Sequence, residues 1–224
     1  MDIHKGHRER MKKRFISHGL DVFEDHAVLE LLLLFSIPQR DVNPLAHKLI
    51  ATFGSLSGVL EATHEDLMKI DGVGENTAVL IRLLPQTFRR YIISSSRQDK
   101  ILDTSEKAGE FIKPFYIGER EEVVYIICLD SKRKLITFRE ISRGIVNAAD
   151  ISVRKMVESA LAHNATNAII SHNHISGIAL PSLEDEITTK NARVALRMIG
   201  VNLLDHIIVA GDDFVSMMDS GFFA

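Results

Sequence analysis

The sequence predicts an α+β protein in two parts, an all-helical N-terminal domain over residues 1–95 and a C-terminal α/β domain over residues 101–224. Three observations carry that expectation. Up to about residue 95, apolar side chains recur at helical spacing with only short turn signals between them. The stretch SSSRQDK at 94–100 is polar, aperiodic and opens with three consecutive serines, as linkers do. Beyond it, apolar runs of strand length alternate with helical patterns.

In chain order, HAVLELLLLF, PLAHKLIATF, SGVLEA, HEDLMKI and NTAVLIRLL supply the helices of the first domain. In the second, VVYIICLD and KLITFREI are expected as strands joined by the turn Ser131 to Arg133, and SVRKMVESALAHNA as a helix. NAIISHNH is a short buried strand, and a further helix is expected from about Ser182 through Met198. NLLDHIIVAGDDFVSMM then provides two closing strands around the turn Gly211-Asp212-Asp213.

With 224 residues, 46% of them hydrophobic, the chain can bury two cores. A net charge of −3 argues against coating nucleic acid by charge alone, so any DNA contact must be local. The single cysteine, Cys128, excludes an intramolecular disulfide, and its apolar setting predicts a buried, inert thiol. The apolar stretch Val28 to Phe35 contains Glu30 and falls well short of the roughly 18 residues of a membrane helix. Asp2, His4, Lys5 and Glu9 stand where a signal peptide would be apolar. A cytoplasmic protein without membrane association is expected.

The residues that carry chemistry lie in SHNHISGIALPSLED. His172 and His174, leaving the end of a strand, can converge on one metal ion if the strand breaks between them, and Asp185, eleven residues on, can close the site from the start of the next helix. Three protein ligands leave a fourth position for water, the arrangement of a catalytic zinc. A structural zinc site would want four protein ligands, usually with cysteine pairs, which this chain lacks.

The whole string, His172-x-His174, then Ser182 and Asp185, resembles the JAMM motif of the MPN (JAB) metalloprotease domain at every ligand position. That resemblance implies a glutamate ahead of an earlier strand, and Glu122, directly before the apolar run ending in Leu129-Asp130, is the residue in that place. It further implies one zinc per chain, Glu122 as general base and Ser182 as donor to an oxyanion, although Ser182 also reads simply as the N-cap of the helix carrying Asp185. HNATNAIISHNHISG, PSLED, LLDHIIVAGDDFVS and GFF extend the similarity to the bacterial RadC (UPF0758) family, with an MPN-like domain of mixed central sheet flanked by helices after a helix-hairpin-helix region. The chain departs from the usual RadC string at Ile175 and at Ile178 to Leu180, making that loop more apolar. Asp205-His206 also matches; His206 reads as a supporting residue, not a ligand, and Asn173 as a side chain able to orient the loop.

In the N-terminal part, DLMKIDGVGENTAVLIRLL has the form of a helix-hairpin-helix, with Gly72, Val73 and Gly74 in the turn as candidate contacts to a nucleic-acid backbone. Asp71 and Glu75 put negative charge where a phosphate would approach, so a scaffold role is equally open. HKGHRERMKKRF at the start, with Arg89 and Arg90, could supply salt-dependent phosphate binding or form a solvated helix face. The expected function is a zinc-dependent metallopeptidase or isopeptidase acting on a peptide or protein substrate that the sequence does not identify. Two alternatives are a non-enzymatic DNA-associated factor and a metal-dependent nuclease fed by the hairpin region.

Overall fold

The computed structural model describes residues 3–95, 100–144 and 149–222, and the chain divides into two compact units, up to Phe88 and from Arg89 onward. The first unit is helical: α1 (Ile3–His18), α2 (Asp25–Ser36), α3 (Asn43–Phe53), α4 (Leu56–Glu61), α5 (His64–Met68) and the start of α6 (Glu75–Ser95). The caps explain the breaks. Ser55 and Thr63 accept from Gly58 N and Asp66 N at the starts of α4 and α5, and Gly54, at φ 85°, closes α3 in the left-handed region. Leu29 and Leu33 of α2 pack with Ala46 and Leu49 of α3, Val59, Leu67, Ala78 and Ile81 to form one core. The buried Glu30 carboxylate is met by Asn43 Nδ2 and His7 Nε2, each at 2.8 Å.

The division between the units falls inside α6, upstream of the expected linker at 94–100, of which residues 96–99 lie outside the described residues. Helix α6 runs on through FRRYIISS, past the point where the compact units part.

The second unit is built on a five-stranded mixed sheet in the order β2-β1-β3-β4-β5, with β1 at Val123–Leu129, β2 at Leu135–Arg143, β3 at Asn167–Asn173, β4 at Asn202–Ala210 and β5 at Asp213–Ser216. Only β3 and β4 run parallel, because α9 (Leu183–Met198) crosses between them; the remaining neighbours are antiparallel. Strand β3 is buried along its whole length, which is why NAIISHN reads as a continuous run instead of an alternation. Asp130 Oδ1 accepts from Lys132 N and Lys134 N at 2.8 and 2.9 Å, fixing the β1–β2 turn where the sequence places it.

Each sheet face has its own core. On one side Ile126, Cys128, Ile170 and Ile208 pack against Met156 and Ala160 of α8 (Ala149–Ala162) and Ala192 and Leu196 of α9. On the other, Val123, Tyr125, Ile127, Ile169 and Val209 pack against Phe111 and Ile112 of α7 (Ser105–Ile112) and Phe115 of the following 3-10 turn. Helix α7 is absent from the expected elements. Its eight residues are bounded by a Thr104 cap and Pro114, so only two turns of pattern exist to read. Cys128 is fully buried, and that burial pushes its thiol pKa up, in keeping with an inert thiol. Among the described residues no helix is long and apolar enough to cross a membrane.

Candidate metal centre

Side-chain alternation sets the site. In β3, Ala168 and Ile170 face the α8–α9 core, and the same period of two brings His172 to that face at the strand's C-terminal end. The strand stops one residue later. His174 leaves the ladder after its backbone N–H donates to Val209 O at 2.8 Å, so its ring is free to turn back toward His172. Asp185 comes from the first turn of α9. Ser182 is the N-cap of that helix in a full capping box: its Oγ accepts from Asp185 N at 3.2 Å while its own backbone N–H donates to Asp185 Oδ2 at 2.7 Å.

The three side chains meet. His172 Nε2 lies 2.9 Å from His174 Nε2 and 3.0 Å from Asp185 Oδ1, and His174 Nε2 lies 3.3 Å from Asp185 Oδ2. Tetrahedral zinc held at about 2.0–2.1 Å spaces its ligands by roughly 3.3 Å, so the set needs only a slight expansion to hold it. Proton positions favour the same ion. Ile178 O can only accept, so at 3.1 Å His174 carries a proton on Nδ1 and turns its Nε2 toward the centre. Asp185 Oδ2 is engaged by Ser182 N and, at 2.6 Å, by the Ser182 hydroxyl, which leaves Oδ1 as the oxygen without a hydrogen bond from that cap.

Glu122 directly precedes β1 and is half-buried. Val124 pairs with His172 in the antiparallel β1–β3 ladder, so the alternation puts Glu122 on the same face of the sheet, one position nearer the loop that carries His174. Asn173, between the two histidines and on the opposite face, holds that entry in place. Its Oδ1 accepts from Val123 N at 2.7 Å and its Nδ2 donates to Glu121 O at 3.1 Å, bracketing Glu122 on both sides.

The loop after His174 is open. Ile175, Ile178 and Leu180 are exposed, as are Leu183 and Ile187 on the first turns of α9, so these apolar side chains do not fill the core, and the Ile178 carbonyl reaches His174. Sequence reasoning missed Thr189, buried one turn after Asp185 on α9, whose Oγ1 lies 2.5 Å from His206 Nδ1. Burial, with the neighbouring His172, keeps His206 well below the usual imidazole range. The i, i+4 spacing from Asp185 to Thr189 was the available signal.

A family model described as a RadC-like JAB domain matches residues 102–222, and one described as UPF0758 N-terminal matches residues 4–79. The chain belongs to the RadC family. Similar RadC relatives include a UPF0758 protein of Fusobacterium nucleatum, 32% identical over 97% of each chain. Another, from Saccharophagus degradans, is 29% identical over 96% of each. A third, from Methylibium petroleiphilum, is 32% identical over 95% of this chain and 96% of the relative. The RadC-like JAB match spans β1 through β5 and so covers every residue of the centre, while the turn at 72–74 falls within the N-terminal match.

In that turn, Gly72 has φ 99° while Gly74 is not in the left-handed region and stands just before α6, its carbonyl accepting from Thr77 N and Ala78 N, each at 3.0 Å. Only one of the two glycines therefore answers a conformational need. Several basic residues are committed within the protein. Arg8 donates to Ile37 O at 2.7 Å and Arg40 O at 2.5 Å, Arg14 to Val22 O, and Arg89 to Glu119 and to Tyr125 Oη at 2.5 Å.

Proposed function

We propose that this RadC-family chain is a zinc-dependent hydrolase that cleaves a peptide or isopeptide bond. The observation that carries the reading is the convergence of His172 Nε2, His174 Nε2 and Asp185 within 2.9–3.3 Å at the end of β3. Two imidazole nitrogens and a carboxylate brought that close need positive charge among them, and a metal ion at their centre supplies it. The donor set, two nitrogens and an oxygen without thiolates, suits zinc, and three protein ligands leave room for a water. Zinc bound there would supply an acidified water and a polarised carbonyl.

The chain's own residues supply the remainder. Glu122, on the face that His172 occupies, takes the water's proton and returns it to the leaving amine. Asn173 keeps Glu122 in register by fixing the peptides before and after it. Ser182 orients Asp185 through its N–H and hydroxyl, and that hydroxyl becomes a donor to the oxyanion on the scissile carbonyl only by turning its single proton away from Asp185 Oδ2. The exposed rim of Ile175, Ile178 and Leu180 offers apolar surface to the substrate chain beside that carbonyl.

The test separates binding from turnover. In a library of internally quenched peptides and isopeptides, the wild-type protein loaded with zinc is expected to cleave a subset. Glu122→Gln is expected to keep its zinc and lose at least a hundredfold in kcat. Undiminished turnover in Glu122→Gln would remove it as the base.

A further inference from the structure

Behind His172 lies a second histidine that no metal would touch. His206 in β4 and Thr189 in α9 are both buried, and together they connect His172 to the backbone of Asp185. The contacts are His172 Nδ1 to His206 Nε2 at 2.8 Å, His206 Nδ1 to Thr189 Oγ1 at 2.5 Å, and Thr189 Oγ1 to Asp185 O at 2.5 Å.

The direction of every bond in this chain follows from its far end. The Asp185 carbonyl oxygen can only accept, so the single Thr189 hydroxyl proton points to it. Thr189 Oγ1 must then accept from His206, which places the ring proton of His206 on Nδ1. A neutral imidazole has one ring proton, so His206 Nε2 is bare and accepts from His172 Nδ1–H. That leaves His172 with its Nε2 lone pair directed at Asp185 Oδ1 and His174. Reversing the chain would put a proton on His172 Nε2, where the metal must bind.

We propose that Thr189 and His206 are positioning residues that lock His172 in the Nδ1–H tautomer required of a metal ligand, and that they do so by transmitting the polarity of the Asp185 carbonyl across the sheet. This rests on the metal-centre reading and adds to it a dependence between two ligands: the helix that delivers Asp185 also sets the proton on His172. Thr189 reaches its place because α9 puts residues four apart on one side, and His206 because it pairs with Ile170 in the parallel β3–β4 ladder, two positions before His172. Met217 Sδ, 3.5 Å from Thr189 Oγ1, is a weak acceptor and offers the hydroxyl no comparable alternative.

The experiment measures zinc dissociation constants by competition with a chromophoric chelator, using the full-length wild type, Thr189→Val, Thr189→Ser, His206→Leu and His206→Gln. Thr189→Val keeps the shape and removes the relay; it is expected to weaken zinc about tenfold, and Thr189→Ser to restore wild-type affinity. His206→Leu should weaken zinc by about ten- to a hundredfold, with partial recovery in His206→Gln, which still offers an acceptor and a donor. Nitrogen-15 NMR of the histidine rings gives a readout that simple loosening of the fold would not produce: Nδ1–H on both His172 and His206 in the wild type, and a mixture of tautomers at His206 in Thr189→Val. Wild-type affinity in a folded Thr189→Val protein, or an Nε2–H tautomer at wild-type His206, would overturn the relay while leaving the metal centre standing. A folded wild type that takes up no zinc would overturn the metal centre itself and the relay with it.

Discussion

Two segments of this molecule carry sequence motifs, and they come to different ends. The His172–Asp185 segment brings donor atoms from a strand end, a loop and a helix N-terminus to within 2.9–3.3 Å of one another. The Gly72–Gly74 turn brings no comparable group together: its one strained residue serves the path of the backbone, and the neighbouring Glu75 carboxylate is 3.0 Å from His64 Nε2. Side-chain chemistry arises where separate elements aim several side chains at one point, whereas a glycine turn acts through its backbone.

That contrast can be broken at graded strengths. The largest effect is expected from Asp185→Ala, which removes a ligand and the acceptor of the Ser182 capping box together; zinc binding measured by elemental analysis should be lost, and thermal unfolding should show about 1 kcal/mol of lost stability from the cap. Next comes Asn173→Ala. It leaves the ligands intact but strips the buried Val123 N–H of its acceptor, so a stability loss of about 1–3 kcal/mol by denaturant titration and a lowered kcat with zinc content unchanged are expected. At the other turn, Gly72→Ala forces a side chain into φ 99° and should destabilise the protein by about 1–2 kcal/mol without altering zinc content. Gly74→Ala, whose Cβ would meet nothing within 4 Å, should stay within about 0.5 kcal/mol of wild type. Equal sensitivity at the two glycines would show that the turn needs both for a reason other than backbone conformation. Ile178→Ser, on the exposed rim, should raise KM for an apolar peptide while kcat holds.

Much of this was legible in the sequence, and the reason is local. The strands β1 to β5 follow from apolar runs bounded by turn residues, and α9 begins next to the predicted Ser182 because a serine cap three residues before an acidic side chain is a local signal. The ligand trio follows from spacing once β3 is known to end at Asn173. What the sequence hides is register. That Asn173 brackets Glu122, that His206 stands behind His172, and that Thr189 meets His206 depend on how β1, β3, β4 and α9 align, across separations of 17 to 52 residues. The commitment of Arg89 to Glu119, 30 residues away, was hidden for the same reason.

The central claim is that His172, His174 and Asp185 form a zinc site. It is tested most directly by the metal content of protein purified without an affinity tag, comparing wild type with a His172→Ala, His174→Ala double variant. About one zinc per wild-type chain and none in the double variant are expected. A folded wild type that holds no zinc even after resupply, or a double variant that holds as much as the wild type, would contradict it.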